Sequence, residues 1–133
     1  MDASVAVKWV SPEPGSERAL ALLDQWGRGA EVWVPDLFFA ECASALRHKV
    51  VYGPVEAADA REMLRALVGI GARVVSSQAL AEEALELALE TGLTVWDACY
   101  LAVARQADAV LWTADRELRD KGRRAYEAIE LVG

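Results

Sequence analysis

The sequence has few of the side chains that zinc enzymes and nucleophilic hydrolases use. It contains one histidine, His48, and two cysteines, Cys42 and Cys99, which do not form a CxxC pair. Zinc prefers nitrogen and sulfur ligands, so a zinc site of the usual kind is not expected. A dyad of Cys42 and His48 is not expected either, because their spacing along a helix places the two side chains roughly 120° apart around its axis. We expect both cysteines to be reduced and buried.

Nucleotide-binding loops and long apolar runs are also missing. No GxGxxG or GxxxxGK[ST] segment occurs, which argues against the usual dinucleotide-binding and phosphate-binding loops. The longest apolar runs, such as 32–34 and 37–40, are far shorter than the roughly 18 residues of a membrane span. No basic and then apolar leader opens the chain. We therefore expect a cytoplasmic protein that does not contact a membrane.

Basic residues are too few for a protein that coats nucleic acid. The formal net charge is −7, whereas proteins that bind nucleic acid by bulk electrostatics rely on clustered lysine and arginine. An enzyme that acts on nucleic acid is not excluded, because a divalent cation in an acidic pocket reverses the local charge.

The residues that are present predict one folded α/β domain over residues 1–133. Hydrophobic residues make up 54% of the chain and charged residues 26%, which is typical of a globular domain of this length. Short apolar or β-branched runs predict buried strands at 33–35, 73–76 and 109–113. Helical patterns occupy 16–26, 37–52, 55–68, 77–91 and a segment that begins at 94, with Asp36 as the expected cap of the second helix. This alternation is typical of a central parallel sheet flanked by helices.

Four carboxylates stand at junctions between predicted elements: Asp2, Glu41, Asp97 and Asp115. Ligand sites of parallel sheets lie beyond the carboxyl ends of the strands, so these side chains are expected to share one region. Their oxygen ligands favour hard cations, Mg²⁺ or Mn²⁺. Several carboxylates in one place also raise one another's pKa, and a cation relieves that repulsion.

Each carboxylate also has a simpler structural explanation. Asp97 could complete a capping box with Thr94, although that motif prefers glutamate or glutamine. Asp115 could cap the last helix, and Asp2 could be a solvated terminus. Glu41 interrupts an apolar helix face and could form an ion pair with the nearby Arg47 or Lys49.

Four segments together resemble the PIN-domain ribonucleases, and in particular the toxins of VapBC toxin–antitoxin pairs. They are DASVAVKW at 2–9, PDLFFAECASALR at 35–47, TVWDACYLAVA at 94–104 and LWTAD at 111–115. The resemblance runs almost from end to end of the chain. It implies a three-layer α/β fold and an acidic pocket that binds Mg²⁺ or Mn²⁺ for endonucleolytic cleavage of RNA.

The resemblance also implies roles for individual residues. By position, Asp2, Glu41, Asp97 and Asp115 match the acidic quartet of the family, while Ser4 and Thr113 match its two hydroxyl residues. Asp2 and Asp97 are expected to be principal metal ligands, Asp115 to complete the metal site, and Glu41 to hold a metal-bound water or a second ion. Lys8 and Arg116 are the candidate phosphate contacts.

Partners and alternatives follow from the same resemblance. Such toxins are usually homodimers that a cognate antitoxin holds inactive.

Only Met1 precedes Asp2 here, where the family has a short apolar strand. We therefore expect part of the first strand to be missing and Mg²⁺ binding to be weakened by the nearby α-amino group. A catalytically silent PIN-like domain that binds a partner protein and a phosphohydrolase of small phosphate esters remain as alternatives.

Overall fold

The structure is a computed structural model that describes residues 1–132 as seven helices and four short strands. The helices are α1 (Ala3–Val10), α2 (Ser16–Gly27), α3 (Phe38–Tyr52), α4 (Ala57–Val68), α5 (Ser77–Thr91), α6 (Val95–Ala107) and α7 (Arg116–Gly122). The strands are β1 (Trp33–Pro35), β2 (Arg73–Val75), β3 (Leu111–Thr113) and β4 (Ile129–Leu131). The predicted α/β class is confirmed, and the predicted helices are all present.

The strands form two parallel pairs in place of one continuous central sheet. β1 pairs with β2, and β3 pairs with β4. We did not predict β4, although it has three residues like the strands that we did predict. Its apolar residues Ile129 and Leu131, two apart, were the available signal.

Helix α6 lies at the centre of the core. Its residues 98–104 are all buried, so the helix is covered on every side. Thr94 caps its start, and Asp108 ends it in the left-handed conformation with φ of 50°. Because α6 packs against α5 and against both β1 and β3, it connects the two strand pairs.

Asp36 does not cap α3, contrary to our prediction. The helix begins at Phe38, and Leu37 occupies the capping position without a side-chain bond. Asp36 Oδ2 instead accepts hydrogen bonds from the Ser77 backbone N–H at 2.9 Å and from its hydroxyl at 3.3 Å. The aspartate therefore joins the end of β1 to the start of α5, a partner that is distant in sequence.

Two further observations concern the cysteines and the helix lengths. Cys42 and Cys99 are free and buried, as expected. No single helix of residues 1–132 is both long enough and apolar enough to cross a membrane. Helices α5 and α6 reach the required length and apolar composition only when they are taken together, and the chain bends by 111° between them.

Replacing Leu101 by alanine should strongly destabilise the protein. Leu101 is fully buried on α6, so Leu101→Ala leaves a cavity and should lower the free energy of unfolding by about 2–5 kcal/mol. Leu89, which is 78% exposed on α5, provides the matched control, and Leu89→Ala should change that free energy by less than about 0.5 kcal/mol. Urea denaturation at low protein concentration measures both. Equal losses in the two variants would contradict the position of α6 in the core.

Candidate active site

The Asp2 carboxylate is buried and almost completely hydrogen-bonded. It caps α1 and is only 6% exposed. Its Oδ1 accepts from the Ser4 hydroxyl at 2.5 Å and from the Val5 N–H at 3.3 Å, and its Oδ2 accepts from the Thr113 hydroxyl at 2.5 Å. The aspartate at the start of the chain is thereby bonded to the end of β3.

Backbone donors set the direction of both hydroxyl bonds. Ser4 Oγ accepts from the Ala114 N–H at 3.0 Å, and Thr113 Oγ1 accepts from the Asp115 N–H at 3.0 Å. Since each oxygen already accepts a hydrogen bond, its own hydrogen is free to point at Asp2. The network orients the Asp2 carboxylate and connects it, through the Thr113 hydroxyl, to the backbone N–H of Asp115.

Glu41 hydrogen-bonds to a tyrosine that the sequence reasoning missed. It lies in the first turn of α3, partly buried, and its Oε1 accepts from the Tyr100 hydroxyl at 2.6 Å. The ion pair considered with Lys49 is absent from residues 1–132 as described, because Lys49 pairs with Glu13. The available signal was spacing: Tyr100 is three residues after Asp97 and shares its helix face.

Asp97 and Asp115 stand at the starts of their helices. Thr94 Oγ1 accepts from the Asp97 backbone N–H at 3.2 Å, which caps the start of α6. Asp115 does cap α7, because its Oδ1 accepts from the N–H groups of Glu117 at 2.8 Å and Leu118 at 3.2 Å. The Asp115 cap engages one carboxylate oxygen.

Burial raises the pKa values of three of these carboxylates, and the charges of neighbouring acids raise two of them further. Burial raises the pKa of Glu41, and the charges of Asp97 and Asp2 raise it further, against the Tyr100 hydrogen bond. Burial likewise raises the pKa of Asp97, together with Asp115, Asp2 and Glu117. Burial also raises the pKa of Asp2, although its hydrogen bonds oppose that shift.

These shifts show that the four predicted carboxylates act on one another electrostatically. Asp2 repels both Glu41 and Asp97, and Asp115 repels Asp97. Glu117 adds a fifth negative charge beside Asp97, which we had not predicted. The structure therefore brings the quartet into one acidic region, as the rule for parallel sheets anticipates.

The acidic region is not arranged as a ready-made metal site. Within residues 1–132, no three side chains of Asp, Glu, His or Cys lie close enough together to hold one ion. The donor chemistry nevertheless fits a hard divalent cation, because the region consists of partly desolvated carboxylates that repel one another. Asp2 is held by its network, so Glu41, Asp97 and Asp115 would have to turn toward it.

The two predicted phosphate contacts differ in accessibility. The Lys8 ammonium is buried, with Glu13 at 2.9 Å and the Pro14 carbonyl at 2.5 Å. That geometry argues against our prediction for Lys8, because its donors are already used within the protein. Arg116 is exposed at the first position of α7, directly after Asp115, so its assignment stays a prediction.

We expected the α-amino group of Met1 to compete with a metal, and that expectation stays a prediction. The group is buried, and desolvation lowers its pKa, although the charge of Asp2 acts in the opposite direction.

Comparison with known proteins identifies the family. A PIN-domain model matches residues 1–124. Two proteins of Pyrobaculum aerophilum are similar over most of their length: Ribonuclease VapC3 is 32% identical over 91% of this chain and 92% of its own, and Exonuclease VapC9 is 33% identical over 82% and 81%. The crystal structure of PAE2754 from the same organism superposes with a TM-score of 0.71 and 30% identity, covering 96% of this chain and 79% of that one.

This chain therefore belongs to the PIN-domain family. Within that family its relatives are nucleases of the VapC type.

Removing the Thr113 hydroxyl should destabilise the protein. Thr113→Val keeps the shape of the side chain but leaves Asp2 Oδ2 and the Asp115 N–H without a partner, so the free energy of unfolding should fall by about 1–3 kcal/mol. Thr113→Ser keeps the hydroxyl and should recover most of that loss. Urea denaturation at pH 7 compares the two variants, and equal loss in both would show that the hydroxyl contributes little.

Neutralising Glu41 or Asp97 should raise the Tm of the metal-free protein at pH 8. Their pKa values are raised in the folded state, so folding favours the protonated form, and stability is lost as the pH rises through the folded pKa. Glu41→Gln and Asp97→Asn remove that penalty. Their advantage should disappear near pH 4, close to the usual carboxyl pKa. The exposed Glu90→Gln on α5 is the control for a general change in net charge.

Thermal unfolding in EDTA between pH 4 and pH 8 tests this expectation. A gain that is independent of pH, or one that Glu90→Gln reproduces, would contradict the proposed repulsion.

Proposed function

We propose that this protein is a Mg²⁺- or Mn²⁺-dependent endoribonuclease and the toxin of a VapBC-type pair. Membership of the PIN-domain family and similarity to proteins named Ribonuclease VapC3 and Exonuclease VapC9 support a nuclease. The observation that carries the metal-dependent site is the clustering of partly or fully buried acids around Asp2: burial raises the pKa of Asp2, Glu41 and Asp97, and the charge of Asp2 raises the pKa of Glu41 and Asp97 further. Perturbed carboxylates in one region are typical of catalytic sites.

The acidic quartet would hold the cation in this proposal. Asp2 and Asp97 are the principal ligands, Asp115 completes the site, and Glu41 holds a water or a second ion. A bound divalent ion would supply a nucleophilic water near neutral pH and stabilise developing charge on the phosphate.

The surrounding residues orient these acids. Ser4 and Thr113 hold Asp2 in one direction through their hydroxyl bonds. Tyr100 holds Glu41 by donating to Oε1, so it serves as a positioning residue. Arg116, exposed beside Asp115, would contact a phosphate of the RNA.

We also propose a cognate antitoxin, a homodimer and a cytoplasmic location. The VapC names of the relatives support an antitoxin partner and an RNA substrate. Light scattering tests the homodimer. An upstream reading frame, expressed together with this chain and copurifying with it, would identify the antitoxin.

Asp97→Asn should abolish RNA cleavage while the protein stays folded. Wild-type protein with Mn²⁺ should cut a mixed-sequence RNA, EDTA should stop the reaction, and Asp97→Asn should reduce the rate to background because a charged ligand is lost. The matched control is Asp59→Asn, which removes an exposed carboxylate of α4 and should cleave at the wild-type rate. Retained cleavage in Asp97→Asn, or in EDTA, would overturn the proposed site.

The form of the substrate separates the proposed activity from its alternatives. Circular RNA has no ends, so its cleavage requires an endonuclease, whereas cleavage of linear RNA alone would favour the exonuclease activity named for one relative. Turnover of nitrophenyl phosphate esters without RNA cleavage would favour a phosphohydrolase. No turnover of any substrate by folded, metal-loaded protein would favour a silent partner-binding domain.

A further inference from the structure

Trp96 is the one tryptophan that the fold leaves without an aromatic or cationic partner among residues 1–132. Trp9 and Trp26 stack with their ring centroids 6.4 Å apart, and an arginine guanidinium lies over the ring of Trp33 and over that of Trp112. These four are partly buried, whereas Trp96 is 64% exposed. A single exposed apolar side chain needs no explanation by itself, so the argument depends on where this one lies.

Trp96 lies at the rim of the acidic region. It directly precedes Asp97 in the first turn of α6, so their Cα atoms are about 3.8 Å apart and their side chains leave the helix about 100° apart. Asp97 is partly buried, where the charges of Asp2 and Asp115 act on it. The exposed indole is therefore a neighbour of these acids that does not compete with them for a cation.

Few basic side chains near the acidic region are free to bind phosphate. The segment 116–124, which follows Asp115, carries five arginine or lysine side chains. Within residues 1–132, all of these except Arg116 already contact an oxygen atom of the protein. These contacts are Arg119 with Asp120, Lys121 with Glu117, Arg123 with the Ile129 carbonyl and Arg124 with the Thr91 carbonyl.

The affinity for RNA therefore needs a source other than charge. Lysine and arginine that neutralise phosphates usually supply most of the affinity for nucleic acid, but the net charge of this chain is −7. Stacking of a base on an aromatic side chain does not depend on charge, and it strengthens binding of a single strand by about 5- to 150-fold per base. A base and the phosphate on its own sugar are one ribose apart, so an RNA phosphate at Asp97 can place its base on the Trp96 ring.

We propose that Trp96 binds an unpaired nucleobase of the RNA by stacking, beside the phosphate that lies at the acidic region. This stacking contact, and not a basic surface, supplies most of the affinity for RNA, while Arg116 adds one charged contact. The choice of RNA as the ligand rests on the proposed nuclease function. The contact itself requires neither a metal nor cleavage, so it can be measured separately.

Binding without cleavage isolates the stacking contact. The probe is a single-stranded RNA of mixed sequence and about twelve nucleotides, in EDTA and 1 M NaCl. EDTA removes the ions needed for the proposed hydrolysis, and the Debye length of about 3 Å screens the acidic carboxylates. The same RNA paired with its complement is the comparison, because its bases are already stacked and paired. The readouts are Kd from the anisotropy of a label on the RNA and quenching of tryptophan fluorescence.

Four variants separate stacking from other contributions. Trp96→Ala removes the ring, Trp96→Leu keeps an apolar side chain without a π-face, and Trp96→Phe keeps a π-face without the indole fluorescence. The matched control is Tyr52→Ala, which removes an aromatic side chain that is 75% exposed at the opposite end of α3 from Glu41. Because both positions are exposed, Tm of every variant should stay within about 2 °C of the wild-type value.

Trp96→Ala and Trp96→Leu should weaken binding of the single strand by about 5- to 150-fold. Trp96→Phe should keep most of the affinity but lose most of the quenching that RNA causes. Tyr52→Ala should bind like the wild type. The duplex should bind weakly, and equally, to all five proteins.

Three results would overturn the proposal. The first is a wild-type protein that does not bind the single strand under these conditions. The second is unchanged affinity in Trp96→Ala or in Trp96→Leu. The third is a change of oligomeric state in Trp96→Ala, seen by light scattering, with unchanged affinity for RNA, which would assign the indole to a protein interface.

The stacking contact and the proposed nuclease can fail separately. Mn²⁺-dependent cleavage that is lost in Asp97→Asn, together with unchanged binding in Trp96→Ala, would keep the nuclease and overturn the stacking contact. Binding that depends on Trp96 in a protein that cuts no RNA would support the stacking contact and overturn the nuclease.

Discussion

The hydrogen-bond network around Asp2 is the constraint on which the rest of the site depends. A carboxylate on a residue that is only 6% exposed is costly unless its oxygens are bonded, and here two hydroxyls and a backbone N–H bond to them. One hydroxyl comes from the same turn of α1, and the other from the end of β3. The bond between Asp2 and Thr113 therefore joins residues that are 111 positions apart in the chain, and the Thr113 hydroxyl also accepts from the backbone N–H of Asp115.

The acidic region stores electrostatic repulsion in the folded state. Asp2, Glu41 and Asp97 all have raised pKa values, and for each of them burial is the largest cause. A protein selected only for stability would separate such groups or pair them with the available lysine and arginine side chains. Lys8 and Lys49 are instead both engaged by Glu13, outside the quartet. Perturbed carboxylates of this kind cluster at functional sites, and this repulsion is the reason that we propose the nuclease site here.

The divided sheet has a physical cause of its own. Both strand pairs pack against α6, and α1 and α2 cover the opposite side. The two pairs therefore keep their positions without backbone hydrogen bonds between them. Four tryptophans line the intervening groove, where large flat rings cover apolar surface that would otherwise be in water.

Local features of the sequence were sufficient to predict the α/β class, the helices and three of the strands. Capping residues and apolar periodicity act within a few residues, as with Thr94 at the start of α6. The four carboxylates could also be selected from the sequence, because each caps a helix or lies in its first turn and matches a family motif. Asp115 confirms that such a residue can be a helix cap as well as a candidate ligand.

Only the tertiary structure decided which partners these side chains have. Glu41 hydrogen-bonds to Tyr100 at a separation of 59 residues, Asp36 to Ser77 at 41, and Lys49 to Glu13 at 36. Lys8 forms an internal ion pair with Glu13, and the four strands form two separate pairs. The physical reason is the sequence separation over which each interaction acts. Helix caps and apolar periodicity depend on neighbours in the chain, whereas the choice of hydrogen-bond partner depends on which distant elements pack together.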